Sequence, residues 1–359
     1  MKYDILKGIS IVAIGLLALS CSSDDDSMTE LTPVTFDFKG LPSPTFPDDN
    51  LLTEEGVELG RRLFYEKALS KDGSMSCASC HNQSTAFSDT NKFSIGVEGE
   101  PGGRQAMAIF NMAWNTNEFF WDGRAHLLRD QSLLPIQDPL EMNETLENVI
   151  SKITELPGYT DRFNTVFGSK VITELNISLA LEQFMNSIIS IDSKYDRFKR
   201  NEITLSDAEE RGRQLFFTEY NKFFPEISGA DCAHCHSGFN FENNEYMNNG
   251  LDNLSDQTDI GREKVTSNTM DRAKFKVTSL RNIALTPPYM HDGRFETLEE
   301  VIDHYNSGIK LSPSVNPAIA DTEENGLFLT EQDKQDLVAF LKTLTDEVLM
   351  TNSDYSDPF

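Results

Sequence analysis

The chain has 359 residues, 38% of them hydrophobic, and 58 acidic against 31 basic residues leave a formal charge of -27. That length exceeds one ordinary core and predicts two globular domains of roughly 150 residues each. So acidic a surface repels nucleic acid and anionic lipid and suits a basic protein partner, with a solvated acidic face of no partner meaning as the equal alternative.

At the N-terminus, Lys2 and Lys7 precede an apolar run from Ile9 to Leu19. The run is too short to span a bilayer and has the length of a secretory signal core. Ser20 and Cys21 then resemble a lipobox, so residues 1–21 are expected to form a lipoprotein signal with lipid on the Cys21 thiol. A plain signal peptide with an incidental cysteine is the alternative. The chain is thus expected to be exported, periplasmic or on the outer membrane, and attached to membrane only through lipid; which face it occupies stays open. Residues 22–50 are rich in Ser, Asp, Thr and Pro and read as a flexible tether. Globular structure is expected as an N-terminal domain over 51–200 and a C-terminal domain over 201–359, meeting in the stretch 192–206.

Helical patterns dominate both halves of the globular part. Ile177, Ala180, Leu181, Phe184 and Ile188 share one face at helical spacing, which predicts a core helix closing the first half. Ser206 and Glu209 form a capping box opening the second half, and Thr330 caps a last helix carrying Leu337, Phe340, Leu341 and Leu344. No alternating stretch is long enough to demand a large sheet. The halves also echo each other: "LGRRLF" at 59–64 and "RGRQLF" at 211–216, "WDGRAHLL" at 121–128 and "HDGRFETL" at 291–298. Such pairing is the signature of a duplication.

Four of the five cysteines lie in a third echo, "CASCH" at 77–81 and "CAHCH" at 232–236. A structural zinc site, a redox dithiol and thioether attachment of haem all use C-x-x-C, but only haem c accounts for the histidine that follows at once. Cys77, Cys80 and His81 are therefore expected to hold one haem c, and Cys232, Cys235 and His236 another. Each histidine is the proximal iron ligand, and no disulfide is expected.

With "FFWDGRAHLLRDQSLLPIQDPLEM" at 119–142 and "LRNIALTPPYMHDGRFETLEEVIDHYNSG" at 280–308, the chain resembles the bacterial di-haem cytochrome c peroxidase and MauG superfamily from about residue 51 to 345. The resemblance implies an all-α fold of two cytochrome c-like domains, related by internal duplication, with one haem in each. It also implies that the N-terminal haem is the peroxidatic one. Gln131 and Glu141, ten and twenty positions after Trp121, match its pocket residues, with Glu141 as the acid–base group and Phe120 beside them. Trp121 matches the tryptophan between the haems, whereas Trp114 has no such match and is assigned to packing. Glu141 has a plainer reading as a charge near a helix N-terminus, and Trp121 as a core aromatic.

Two positions depart from the peroxidase pattern. Where many relatives close the resting N-terminal haem with a histidine, "SIGVEG" has Val97, which cannot ligate iron; His126, the only free histidine of this half, is expected to pack near the start of a helix. The distal methionine of the C-terminal haem falls fourteen residues after His291, at Tyr305, as in MauG-type members. Met290 is the rival ligand; His304 is expected to face another way, about 100° round a helix. Arg124, Arg281 and Arg294 are candidates for haem propionates or for plain ion pairs. The family's interdomain calcium would use the carbonyls of Thr286 and Pro288, but Gln105 stands where asparagine is usual, so calcium stays open.

These features predict a di-haem oxidoreductase that reduces hydrogen peroxide to water, with electrons from an external donor such as a small cytochrome c passing through the C-terminal haem. The alternative is a MauG-like enzyme that uses peroxide to oxidise a partner protein or organic substrate, favoured by Val97 and Tyr305. A non-catalytic di-haem electron carrier is the third reading. Oligomeric state, a homodimer included, stays open.

Overall fold

The computed structural model describes residues 30–359; Cys21 and the signal and lipid expectations lie outside them. Twelve helices are described: α1 (Glu54–Tyr65), α2 (Leu128–Gln137), α3 (Leu146–Glu155), α4 (Tyr159–Phe167), α5 (Glu174–Ser187), α6 (Lys194–Lys199), α7 (Asp207–Phe217), α8 (Glu263–Thr266), α9 (Leu298–Ser307), α10 (Pro317–Ala320), α11 (Thr322–Asn325) and α12 (Glu331–Lys342). Short 3-10 turns and one antiparallel pair, β1 (Tyr246–Met247) and β2 (Phe275–Lys276), complete the described elements.

Local signals place the helix ends. The Thr53 hydroxyl accepts from the Gly56 amide to start α1, and capping boxes at Ser206 and Thr330 start α7 and α12. In α5 the burial runs through Ile177, Ala180, Leu181 and Phe184, with Ile188 as its buried C-cap.

Two hydrophobic cores result. In the first, Leu59, Leu63 and Phe64 of α1 meet Ile177, Leu181 and Phe184 of α5. In the second, Phe216 of α7 meets Leu337, Phe340 and Leu341 of α12, with Leu298 and Ile302 of α9. Each helix pair is brought together at a glycine. A Cβ on Gly60 would lie 1.9 Å from the Ala180 carbonyl oxygen, and one on Gly212 would lie 1.8 Å from that of Asp336. Only a hydrogen at these positions lets the backbones approach so closely.

The cores do not divide the chain at single residues. Tyr195 of α6 packs in the second core, while Leu349, near the C-terminus, belongs to the first. The C-terminal tail crosses back over α1: the Tyr65 hydroxyl donates to the Tyr355 carbonyl at 2.8 Å, and Arg61 donates to the Ser353 and Ser356 carbonyls.

Residues 31–50, expected to be part of a flexible tether, are instead built into the fold. From Leu31 onward the chain is part of the same compact body as the rest. Phe38 packs edge-on against Trp114, whose indole N–H donates to the Pro42 carbonyl at 2.8 Å, and Asp49 pairs with Arg129 at 2.7 Å. Three aromatics, Phe36, Phe38 and Phe46, give this stretch apolar area to bury, which its Ser, Asp and Pro content had hidden.

Candidate active site

Cys77–Ser79 forms a 3-10 turn held by a capping box between Ser76 and Ser79, and the His81 amide closes it on the Cys77 carbonyl. The His81 Nδ1–H donates to the Phe87 carbonyl at 3.1 Å, which leaves Nε2 as the free ring nitrogen. Burial holds its pKa below the ordinary value, keeping the imidazole neutral as a metal ligand requires.

A cavity of about 960 Å³ opens over this turn, at the upper end of small-molecule sites. Cys77, Cys80 and His81 line it, and so do Phe120, Trp121, Gln131 and Glu141. Glu141 lies beyond α2, in the turn where its amide donates to the Asp138 carbonyl. Helix α3 begins only at Leu146, capped by Thr145, so Glu141 is not a charge on that helix's first turn. Burial, then the negative charge of Asp138, raise the Glu141 carboxyl to about 7, with Arg124 offsetting part of the rise. A carboxyl with that pKa exchanges protons near neutral pH.

The segment bearing Val97 braces this turn. The Val97 amide donates to the Glu141 carbonyl at 2.8 Å, and a Cβ on Gly96 would lie 2.2 Å from the Leu140 carbonyl oxygen. His126 is exposed just before α2 and is absent from the cavity wall.

Trp121 joins the halves. Its indole N–H donates to the Gln105 carbonyl at 2.8 Å, and its own carbonyl accepts from the Lys276 amide of β2 at 2.8 Å. Arg104 adds a second link, 2.7 Å from both Asp122 and Asp259. The cavity wall accordingly includes Glu242, Lys276, Arg281 and Met290 from the second half. The Gln105 side-chain amide donates to Ser88 Oγ and to the Asp89 carbonyl, while Thr286 and Pro288 lie on the same cavity wall.

The second C-x-x-C-H repeats the first arrangement. The His236 Nδ1–H faces the carbonyls of Phe241 and Thr278, each at 3.1 Å, and burial lowers the ring pKa to about 4. Tyr305, on α9, lies near Cys235 and Cys232; burial pushes its hydroxyl up to about 12, with the Asn249 amide offsetting part of the rise. The Asn249 side-chain amide donates to the Tyr305 oxygen at 3.3 Å and to Met290 Sδ at 3.2 Å. His304 turns away, as its helix position requires, and donates from Nε2 to the Asn249 carbonyl at 2.9 Å.

The three arginines already hold carboxylates. Arg281 grips Asp196 with both terminal nitrogens, Arg294 grips Asp252 and Asp292, and Arg124 pairs with Asp122 while lying 3.5 Å over the Phe120 ring. Asn249, Glu242 and Lys276 had no signal in the sequence. Burial raises the Glu242 carboxyl to about 7 and lowers Lys276 to about 8, yet both sit in stretches without periodicity or motif.

A family model described as di-haem cytochrome c peroxidase matches residues 54–204. The methylamine utilization protein MauG of Methylorubrum extorquens is 36% identical over 327 residues, covering 90% of this chain and 87% of that protein. The chain belongs to the di-haem cytochrome c peroxidase family. Cytochrome c551 peroxidase of Nitrosomonas europaea, another member, is 35% identical, with 81% of this chain and 80% of that one covered. Among solved structures, a MauG-like protein associated with microbial copper homeostasis superposes with a TM-score of 0.78 at 36% identity, covering 89% of this chain and 97% of that one. Membership makes the chain an oxidoreductase that uses haem c. The residues present fit that group. All four C-x-x-C-H cysteines are free thiols, both motif histidines keep Nε2 unengaged, and the buried Arg281 Nε has no hydrogen-bond partner among the described residues.

Proposed function

We propose that the chain reduces hydrogen peroxide to water in the pocket over Cys77, Cys80 and His81. Haem bound there through the two cysteines would supply an iron with an open coordination position and, with the second haem, the two electrons the reaction consumes. The overall change, peroxide plus two electrons and two protons giving two waters, needs a group that takes a proton from one peroxide oxygen and delivers it to the other. Glu141 is assigned that role: it lies on the cavity wall with a carboxyl raised to about 7, and this single observation carries the reading. Gln131 and Phe120 shape the cavity around it. Val97, with no ligating atom, leaves the pocket open to peroxide at rest. Trp121, hydrogen-bonded to both halves, is the contact through which the pocket communicates with the second haem at Cys232, Cys235 and His236.

The paired glycines, helices and C-x-x-C-H turns support reading the two cores as a duplication with one haem each. An external carrier such as a small cytochrome c returns the electrons. The lipid anchor at Cys21 and export to the periplasm or outer membrane are part of the same proposal, as is a calcium ion near Gln105, Thr286 and Pro288.

A second reading, MauG-like oxidation of a partner protein or organic substrate, is favoured by Tyr305 in the second pocket, because a phenolate ligand stabilises oxidised iron better than a thioether does. Steady-state peroxide turnover with reduced cytochrome c tests the first reading. Rapid turnover supports it; negligible turnover with a long-lived oxidised state of the protein points to the second. Low-spin resonance from both ferric irons would leave only an electron carrier.

A further inference from the structure

Asn249 presents one amide to two potential iron ligands. Its Nδ2 lies 3.2 Å from Met290 Sδ and 3.3 Å from the Tyr305 oxygen. The loop that carries it is fixed on several sides. The Asn248 side chain donates to Ser312 and Ser314 and accepts from the Gly250 amide, while the Asn249 carbonyl is held by His304. Met290 has a φ of 74°, in the left-handed region that a long side chain rarely adopts. Phe120, its counterpart in the first half, shares that backbone at 68°, so the conformation belongs to the repeated turn, and what singles out Met290 is its sulfur on the Asn249 amide. Phenolate oxygen is a hard donor suited to ferric iron, and thioether sulfur is a soft one suited to ferrous iron.

We propose that Tyr305 and Met290 are alternative distal ligands of the second haem, exchanging with its oxidation state, and that Asn249 is the positioning residue holding both donors for that exchange. The inference rests on the reading that Cys232, Cys235 and His236 hold that haem. On one-electron reduction by the external donor, the iron–oxygen bond to Tyr305 breaks and the iron–sulfur bond to Met290 forms. The phenolate takes one proton from solvent, and the released hydroxyl stays on the Asn249 amide. The thioether-bound form donates electrons readily, and the phenolate-bound form stores oxidising equivalents. One pocket thereby serves either partner of the proposed reaction.

The test compares the holoprotein with Met290→Leu, Tyr305→Phe and Asn249→Ser, recording ferric and dithionite-reduced spectra, proton NMR of the reduced form and the midpoint potential of the second haem. In the reduced parent a methionine methyl resonance shifted far upfield by the porphyrin ring current is expected. Met290→Leu should lose that resonance and lower the potential while keeping the ferric phenolate band. Tyr305→Phe should lose the band and raise the potential, and Asn249→Ser should shift the potential and mix the two ferric ligand sets. A reduced spectrum indifferent to Met290→Leu overturns the exchange. Potentials and ferric spectra indifferent to Asn249→Ser overturn its positioning role. A mass showing no haem on Cys232 and Cys235 removes the underlying reading instead.

Discussion

In the proposed reaction Glu141 carries the proton, and its environment sets two measurable consequences. Replacement by Gln keeps the shape but cannot carry the proton, so peroxide turnover should fall by about 10²–10⁴-fold. As a base the carboxylate form is the active one; the rate in the parent should therefore rise as pH passes about 7, and Glu141→Gln should flatten that limb. The same group weakens the fold. Between its ordinary value of 4.5 and about 7 the folded protein retains a proton that the unfolded chain has lost, so stability falls as pH rises through this window. Glu141→Gln should thus be more stable than the parent at pH 8, by about 1–3 kcal/mol, with the two melting temperatures converging at pH 4. An equal difference at both pH values would show that the carboxyl is not buried in its charged form.

At the scale of elements, the two glycine contacts explain how each half closes. Adding a methyl group at Gly60 or Gly212 forces the α1–α5 or α7–α12 backbones apart, and each Ala variant should lose about 1–3 kcal/mol in denaturant unfolding. Gly96→Ala acts on function instead. Its Cβ would strike the Leu140 carbonyl oxygen at 2.2 Å and displace the turn that carries Glu141, so turnover should drop even where the variant remains folded. Capping residues and helix faces were legible because they are local: Thr330, Ser206 and the Ile177–Phe184 stripe each contain their own signal. Asn249 was not, since its role comes from Tyr305 and Met290, which are 56 and 41 positions away in sequence.

At the scale of the whole molecule, a buried ion pair ties α6 to the second half of the chain. Burial pushes the Asp196 carboxyl up, and the Arg281 guanidinium more than offsets this to hold it below the usual range. Arg281 is 1% exposed and Asp196 6%. Asp196→Asn should cost about 3–5 kcal/mol by stranding a buried guanidinium, and replacing both partners by apolar residues should recover much of it. The net charge of -27 makes a separate prediction: turnover with a basic cytochrome c should fall as salt rises from 10 to about 150 mM, through slower association. A salt-independent rate would place the donor contact outside the acidic field.

The amino-acid sequence by itself determined the two C-x-x-C-H motifs, the helical class and the principal helix caps, because each is encoded in short-range spacing, and the family resemblance pointed to the cavity-lining residues Trp121, Gln131 and Glu141. The tertiary structure alone decided that residues 31–50 join the compact body, how the tail returns to the first core, and which groups converge on Tyr305. Those features arise from contacts between segments far apart in the chain, such as Tyr355 on Tyr65 and Asn249 on Met290, and no local pattern records which distant surfaces will bury each other.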